Sequence, residues 1–149
     1  MQSSRKTEDL LPAAQAACDR HRDLCAAAGI DLLVYSTYRD KEAQNALYAK
    51  GRTLPGRRVT NARGGWSWHQ WRVAYDCVPI IAGKAVWGTS GENAKLWDQV
   101  GTLGEQAGLD WSGRWRRLKE MAHFQLRDLP HIEDVIATDG DILAAKEAA

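Results

Sequence analysis

Asp76 stands inside an otherwise apolar run, Val73-Ala74-Tyr75-Asp76-Cys77-Val78, seven residues after His69. An ionised carboxylate is costly to bury unless it is paired with a cation or bound to a metal. A salt bridge to a nearby arginine would meet that need. So would a metal site, because neutral imidazole nitrogen and carboxylate oxygen are ordinary ligands of Zn²⁺. A catalytic zinc takes three protein ligands and keeps one position open for water, and His123 can supply the third donor. Glu120, three residues earlier, would lie near the metal if its segment is helical or bent, placed to take a proton from the attacking water. Two histidines and two carboxylates can also be scattered by accident, and spacing alone leaves both readings open. The other two histidines read differently. His21 sits among Arg20, Arg22 and Asp23 and is expected to be a solvated helical residue, and His131 beside Pro130 a surface residue.

The elements that must position these residues follow from local patterns. Leu10, Leu11, Ala14, Ala17, Cys18, Leu24, Cys25 and Ala28 keep a helical period that Gly29 closes. Ile30 to Ser36 is short, apolar and partly β-branched, and reads as a buried strand. Asp40 can cap a second helix carrying Ala43, Ala46 and Leu47, which Gly51 stops. From Arg52 to Trp68 the glycines, Pro55 and Asn61 argue for a long ordered loop. Strand character returns from Val73 to Ile81, with a hairpin turn at Ala82-Gly83-Lys84. A third helix is expected over about Glu92 to Ala107, then short strands at Leu109-Asp110-Trp111 and Ala122 to Leu126, then one short helix with a fraying end beyond Pro130. Strands and helices without a regular βαβ alternation indicate an α+β fold.

Several segments together resemble a known family. Ser67-Trp68-His69-Gln70-Trp71-Arg72-Val73-Ala74-Tyr75-Asp76 resembles the S-x-H-x-x-G-x-A-x-D signature of the zinc D-Ala-D-Ala carboxypeptidase and L-alanyl-D-glutamate peptidase family. Glu120-Met121-Ala122-His123 is similar to its second signature, and Ser36-Thr37-Tyr38-Arg39 to its S-x-Y-R segment. The likeness spans roughly Leu11 to Leu126 and is greatest to the phage-endolysin branch. It implies a small antiparallel sheet with flanking helices, of the hedgehog and DD-peptidase type. It also implies one Zn²⁺ on His69, Asp76 and His123, with Glu120 as the base. Arg39 would stabilise the developing oxyanion or bind a substrate carboxylate, unless it serves only a structural ion pair. The implied activity is hydrolysis of peptidoglycan stem peptides. Cleavage between L-Ala and D-Glu in host lysis is preferred, with D-Ala-D-Ala carboxypeptidase action second and a non-catalytic, zinc-bearing wall-binding module third. One position departs from the pattern: the family's glycine between histidine and aspartate is Arg72 here. If that position needs positive φ, arginine strains the turn unless Gly64 and Gly65 shift the demand upstream.

Composition bounds the rest. A chain of 149 residues with 44% hydrophobic residues fits one domain, with a core over about residues 8–127 and a tail over 128–149. No stretch approaches the roughly 20 apolar residues of a membrane span, and the polar start is not a signal core, so a cytoplasmic protein released later to the wall is expected. Cys18, Cys25 and Cys77 lack metal-site spacing and read as buried thiols, the first two on one helix face. Lys50, Arg52, Arg57, Arg58, Arg63 and Arg72 form a basic stretch with no acidic residue, which would attract an anionic polymer. Trp66 and Trp68, alternating on an extended segment, would wall a groove beside the metal. Ser67, Trp68, Arg57 and Arg58 are the expected substrate contacts. Tryptophan beside arginine also suits single-stranded nucleic acid, but that reading leaves Asp76 and Glu120 unexplained. The protein is expected to act on the stem peptide as a monomer.

Overall fold

A computed structural model describes residues 1–148 of the chain. Five strands form one antiparallel sheet: β1 (Asp31–Ser36), β2 (Ala74–Ile81), β3 (Lys84–Ala85), β4 (Leu109–Trp111) and β5 (His123–Leu126). The order is β1-β2-β5-β4, with β3 folding back on β2 through the Ala82-Gly83 turn. Five helices accompany it: α1 (Pro12–Ala27), α2 (Lys41–Ala49), α3 (Glu92–Gln106), α4 (Ile132–Ala137) and α5 (Ile142–Ala148). The α+β architecture expected from the sequence is the one observed.

One face of the sheet makes the core. Along a strand successive side chains point to opposite faces, so Tyr75 and Cys77 on β2 and Phe124 on β5 turn to one side with Leu32 and Val34 of β1. Against them α1 lays a stripe of Ala14, Ala17, Cys18 and Cys25, spaced as one helical face requires, and α3 lays Val100. α3 comes close because Gly101 and Gly104 have no side chains: a Cβ at either would collide with the rings of Trp111 and Phe124. All three cysteines are buried, and burial pushes the Cys18 and Cys25 thiols up to about 11, so they are inert packing groups.

His21 is not the solvated residue expected from its charged neighbours. It faces inward from α1 with no exposed surface. Its Nε2–H donates to the Val100 carbonyl at 2.8 Å, and its Nδ1 accepts from the Tyr75 hydroxyl at 2.7 Å. Arg20, Arg22 and Asp23 occupy the outer face of the same helix. Burial holds the imidazole neutral and pushes its pKa down to about 4.

The opposite face of the sheet is prepared for the site by two local devices. β1 carries an irregularity between Val34 and Ser36, which brings Ser36 opposite Asp76 and sets the following Thr37-Tyr38-Arg39 alongside it. The Asp40 carboxylate accepts from the Ala43 backbone N–H at 2.8 Å and starts α2. The long loop after α2 is pinned to that helix: Gly64 N–H donates to Asn45 Oδ1 at 2.7 Å, and Gln44 Nε2 donates to the Ala62 carbonyl at 2.6 Å. The C-terminal segment forms two short helices instead of one, separated by Asp139 and Gly140 at positive φ. They bury Val135 and Ala145, with Gly140 against Trp71, and thereby back the loop that leads into the site. His131 is exposed, as expected.

Candidate metal centre

Asp76 and His123 are direct partners across β2 and β5, so they project from the same face while Tyr75 and Phe124 beside them enter the core. His69 reaches this point from a single 3₁₀ turn, Trp68–Trp71, whose start is capped by Ser67 Oγ accepting from the His69 backbone N–H at 3.3 Å. The turn must then reverse into β2, and it does so at Arg72 with φ 63° and ψ 27°. The residue replacing the family glycine therefore takes the left-handed conformation itself. Gly65 also has positive φ, but Gly64 does not, and the demand at position 72 is not relieved upstream. Arginine is held there by its side chain, which stacks 3.7 Å from the Tyr38 ring centroid and donates from Nη1 to the Asp9 carbonyl at 2.9 Å.

Asp76 Oδ1 lies 3.2 Å from His69 Nε2 and 3.1 Å from His123 Nδ1. The other ring nitrogens are already engaged. His69 Nδ1 stands 2.7 Å from the Thr37 carbonyl, which can only accept, so this nitrogen carries the proton. His123 Nε2 stands 3.0 Å from Gln125 Oε1 and donates to it. Each imidazole thus turns an unprotonated lone pair toward a carboxylate oxygen, an arrangement of three acceptors that calls for a shared cation. The ligand atoms lie within 4.8 Å of one another. Donors around a tetrahedral ion with bonds of about 2.0–2.2 Å stand about 3.3–3.6 Å apart, near the 3.1 and 3.2 Å of the two Asp76 contacts, so the donor set suits zinc.

Without a metal, the imidazoles shift the titration of the carboxylate, and the carboxylate shifts that of His123. Burial alone would raise the Asp76 pKa, but the two imidazoles hold it well below the usual carboxylate range. Burial would lower that of His123, and Asp76, together with Gln125 and Glu120, outweighs this and raises it. Arg39 is mostly buried, which lowers its pKa, while Asp76 and Glu120 favour its charged form. Its Nη1 donates to Ser36 Oγ at 2.7 Å and lies 3.9 Å from Asp76 Oδ2, and its Nε donates to Gln44 Oε1 at 2.9 Å. These bonds leave Nη2 without a partner among the described residues.

A cavity of about 520 Å³ opens over this floor. His69, Asp76, His123, Arg39, Glu120, Ser67 and Trp68 all line it, so the structure gathers residues separated by up to 84 positions. Glu120 comes from an irregular, exposed stretch that bends just before β5. Trp66 and Trp68 both line the cavity, but from a bend and a 3₁₀ turn and not from the extended segment expected. Arg57 and Arg58 are exposed on the loop beyond its lining. Four contributors escaped the sequence reading: the Thr37 carbonyl, Gln44, Gln125, and the wall formed by Trp115 and Leu118. Only Gln125 had a signal, since two residues after His123 on a strand is the same face.

Three convergent donors beside an open cavity, with a carboxylate and a guanidinium at its edge, are the components of a metal-dependent hydrolase site. Comparison with known proteins narrows the class. Residues 60–126 match the family model described as D-alanyl-D-alanine carboxypeptidase. Over 123 residues the chain is 32% identical to the peptidoglycan L-alanyl-D-glutamate endopeptidase CwlK of Bacillus subtilis (strain 168), covering 79% of this chain and 74% of that one. The fold is shared with the Serratia marcescens L-Ala D-Glu endopeptidase ChiX, at a TM-score of 0.60 and 20% identity over 80% of this chain and 82% of that one. It is shared too with the LD-carboxypeptidase LdcB, at 0.63 and 19% over 93% and 68%. A mutant of the vancomycin resistance D,D-pentapeptidase VanY, solved in complex with Zn(II), gives 0.59 and 14% over 92% and 84%. The chain belongs to the D-alanyl-D-alanine carboxypeptidase and L-alanyl-D-glutamate peptidase family.

Proposed function

We propose that this protein is a zinc-dependent peptidase that cuts the stem peptide of peptidoglycan between L-Ala and D-Glu, and that it acts as a monomeric lysin of phage or prophage origin once released to the wall. The observation that carries the reading is the convergence of His69, Asp76 and His123 with both outer imidazole nitrogens already engaged. Zinc held there would supply Lewis acidity toward the scissile carbonyl and the attacking water. Glu120, in the same cavity, takes the proton of that water and passes it to the leaving amine. Arg39, fixed by Ser36, Gln44 and Asp76, presents its free Nη2 to the oxygen on which negative charge develops, or to a substrate carboxylate. Ser67 and Trp68 shape the wall against which the peptide lies.

The bond preference rests on the 32% identical endopeptidase relative. D-Ala-D-Ala carboxypeptidase action is the second reading, favoured by the description of the matching family model. No helix of the described residues is long and apolar enough to cross a membrane. Incubating the protein with purified peptidoglycan, with and without chelator, and weighing the released fragments separates the outcomes. Chelator-sensitive exposure of new D-Glu amino termini supports the endopeptidase, release of single D-Ala supports the carboxypeptidase, and binding without release supports a wall-binding module.

A further inference from the structure

Two loops of the same unusual make contribute to the lining of the cavity. Val59 and Trp66 come from one, and Trp115 and Leu118 from the other, all 37–61% exposed. Each apolar pair is interleaved with cations. Arg57 and Arg58 precede Val59, and Arg63 lies over the Trp66 ring at 5.8 Å. Arg116 and Arg117 lie between Trp115 and Leu118, and Lys119 follows. All six are exposed, and none stands in an ion pair among the described residues.

Several arginines elsewhere are occupied. Arg114, just before Trp115, is bound by Glu105 at 3.0 Å and Asp98 at 3.1 Å. Arg52 stacks on Tyr48 and donates to two carbonyls, and Arg72 stacks on Tyr38. Removing these six cations from the chain's net charge of +1 leaves −5 for everything else. The two loops that contribute to the cavity's lining therefore carry a concentration of positive charge, and a cleft beside them would focus its field.

We propose that these two loops form a cationic clamp beside the cavity that selects acidic peptides by their free carboxylates, so that the preferred stem peptide is one whose carboxyl groups are not amidated. The proposal rests on the peptidase reading above. Exposed cations that alternate along two loops with cavity-lining apolar side chains match a chain carrying carboxylates on either side of aliphatic segments. The guanidinium groups take the carboxylates, and Trp66, Trp115, Val59 and Leu118 take the methyl and methylene groups.

The test is a matched pair of synthetic stem peptides, identical but for free or amidated carboxyls, with kcat and KM measured on the zinc-loaded protein at low salt and at 1 M salt. The free-acid peptide is expected to have a KM lower by about tenfold at low salt, from two exposed charge contacts, with kcat little changed. Where the Debye length falls to about 3 Å the advantage should shrink below about threefold. Arg57→Ser with Arg58→Ser, and separately Arg116→Ser with Arg117→Ser, should each erode the KM advantage, with circular dichroism reporting that the fold is retained. Equal KM values for the two peptides at low salt would overturn the clamp while leaving the peptidase reading intact. If neither peptide is cut, the peptidase reading fails, and fluorescence anisotropy with the Glu120→Ala protein still decides the clamp: equal Kd values for the pair, or tighter binding of a single-stranded oligonucleotide, overturn it.

Discussion

Replacing Gln125 with leucine tests the orientation of the metal centre without touching a ligand. Gln125 is 8% exposed, and its Oε1 is the acceptor for His123 Nε2–H at 3.0 Å. Leucine keeps the bulk and removes the acceptor. Without metal, His123 can move its proton to Nδ1 and donate to Asp76 Oδ1, 3.1 Å away, so the metal-free protein loses little. With metal bound, Nδ1 must be bare, and the proton has to stay on a buried Nε2 that no longer has a partner. An unsatisfied buried donor costs about 1–3 kcal/mol, and here the cost falls on the loaded state alone. At about 1.4 kcal/mol per tenfold, zinc affinity should weaken by roughly 10- to 100-fold. Competition against a chromophoric chelator at neutral pH measures it directly, whatever the activity. Gln125→Glu, which retains an acceptor, should bind zinc at least as tightly as the wild type. A zinc Kd for Gln125→Leu within about threefold of wild type, with the fold intact, would refute the assignment of His123 Nε2 as the proton-bearing nitrogen.

Three further outcomes follow from the same geometry. Glu120→Ala should retain one zinc per chain by elemental analysis yet lose nearly all hydrolysis of wall, because Glu120 lines the cavity without belonging to the donor set; activity within a few-fold of wild type would remove it as the base. Arg72→Gly relieves about 1 kcal/mol of left-handed strain, but glycine's extra freedom offsets most of that, and the lost Tyr38 stacking and Asp9 hydrogen bond leave a net cost of about 1–2 kcal/mol. Its Tm should fall by roughly 3–6 °C, and a rise would show that the strain outweighs the contacts. His21 has a folded pKa of about 4, below its ordinary value of 6.5, so the unfolded chain binds the extra proton first. Its contribution to stability is complete above pH 6.5 and is lost as pH falls toward 4, at no more than about 1.4 kcal/mol per pH unit. Denaturation of metal-free wild type and His21→Gln across that range should show a shallower acid slope in the variant, and parallel curves would contradict a neutral buried His21.

Much of the molecule was legible from the chain because the physics involved is local. The Asp40 cap, the Gly29 and Gly51 stops and the alternation of β2 each depend on a few neighbouring residues. Candidate donors could be named because few residue types bind zinc, because Asp76 interrupts an apolar strand, and because the segments around them resemble family signatures. The Arg72 departure was visible too, but what makes it tolerable was not: Tyr38 and Asp9 lie 34 and 63 residues away. His21 was misread for the same reason, since its partners Tyr75 and Val100 lie 54 and 79 residues further on. Local charge said only that its helix has a wet side, and packing decided that His21 is on the other. Residue types and the resemblance to family signatures thus pointed to the groups that could hold a metal and move a proton. Tertiary structure alone decided which nitrogen of each imidazole is left bare, through Thr37 and Gln125, and that two basic, tryptophan-bearing loops line one cavity. Hydrogen-bond acceptors and cavity walls have no sequence signature, because any backbone carbonyl or irregular loop can serve once the fold brings it within reach.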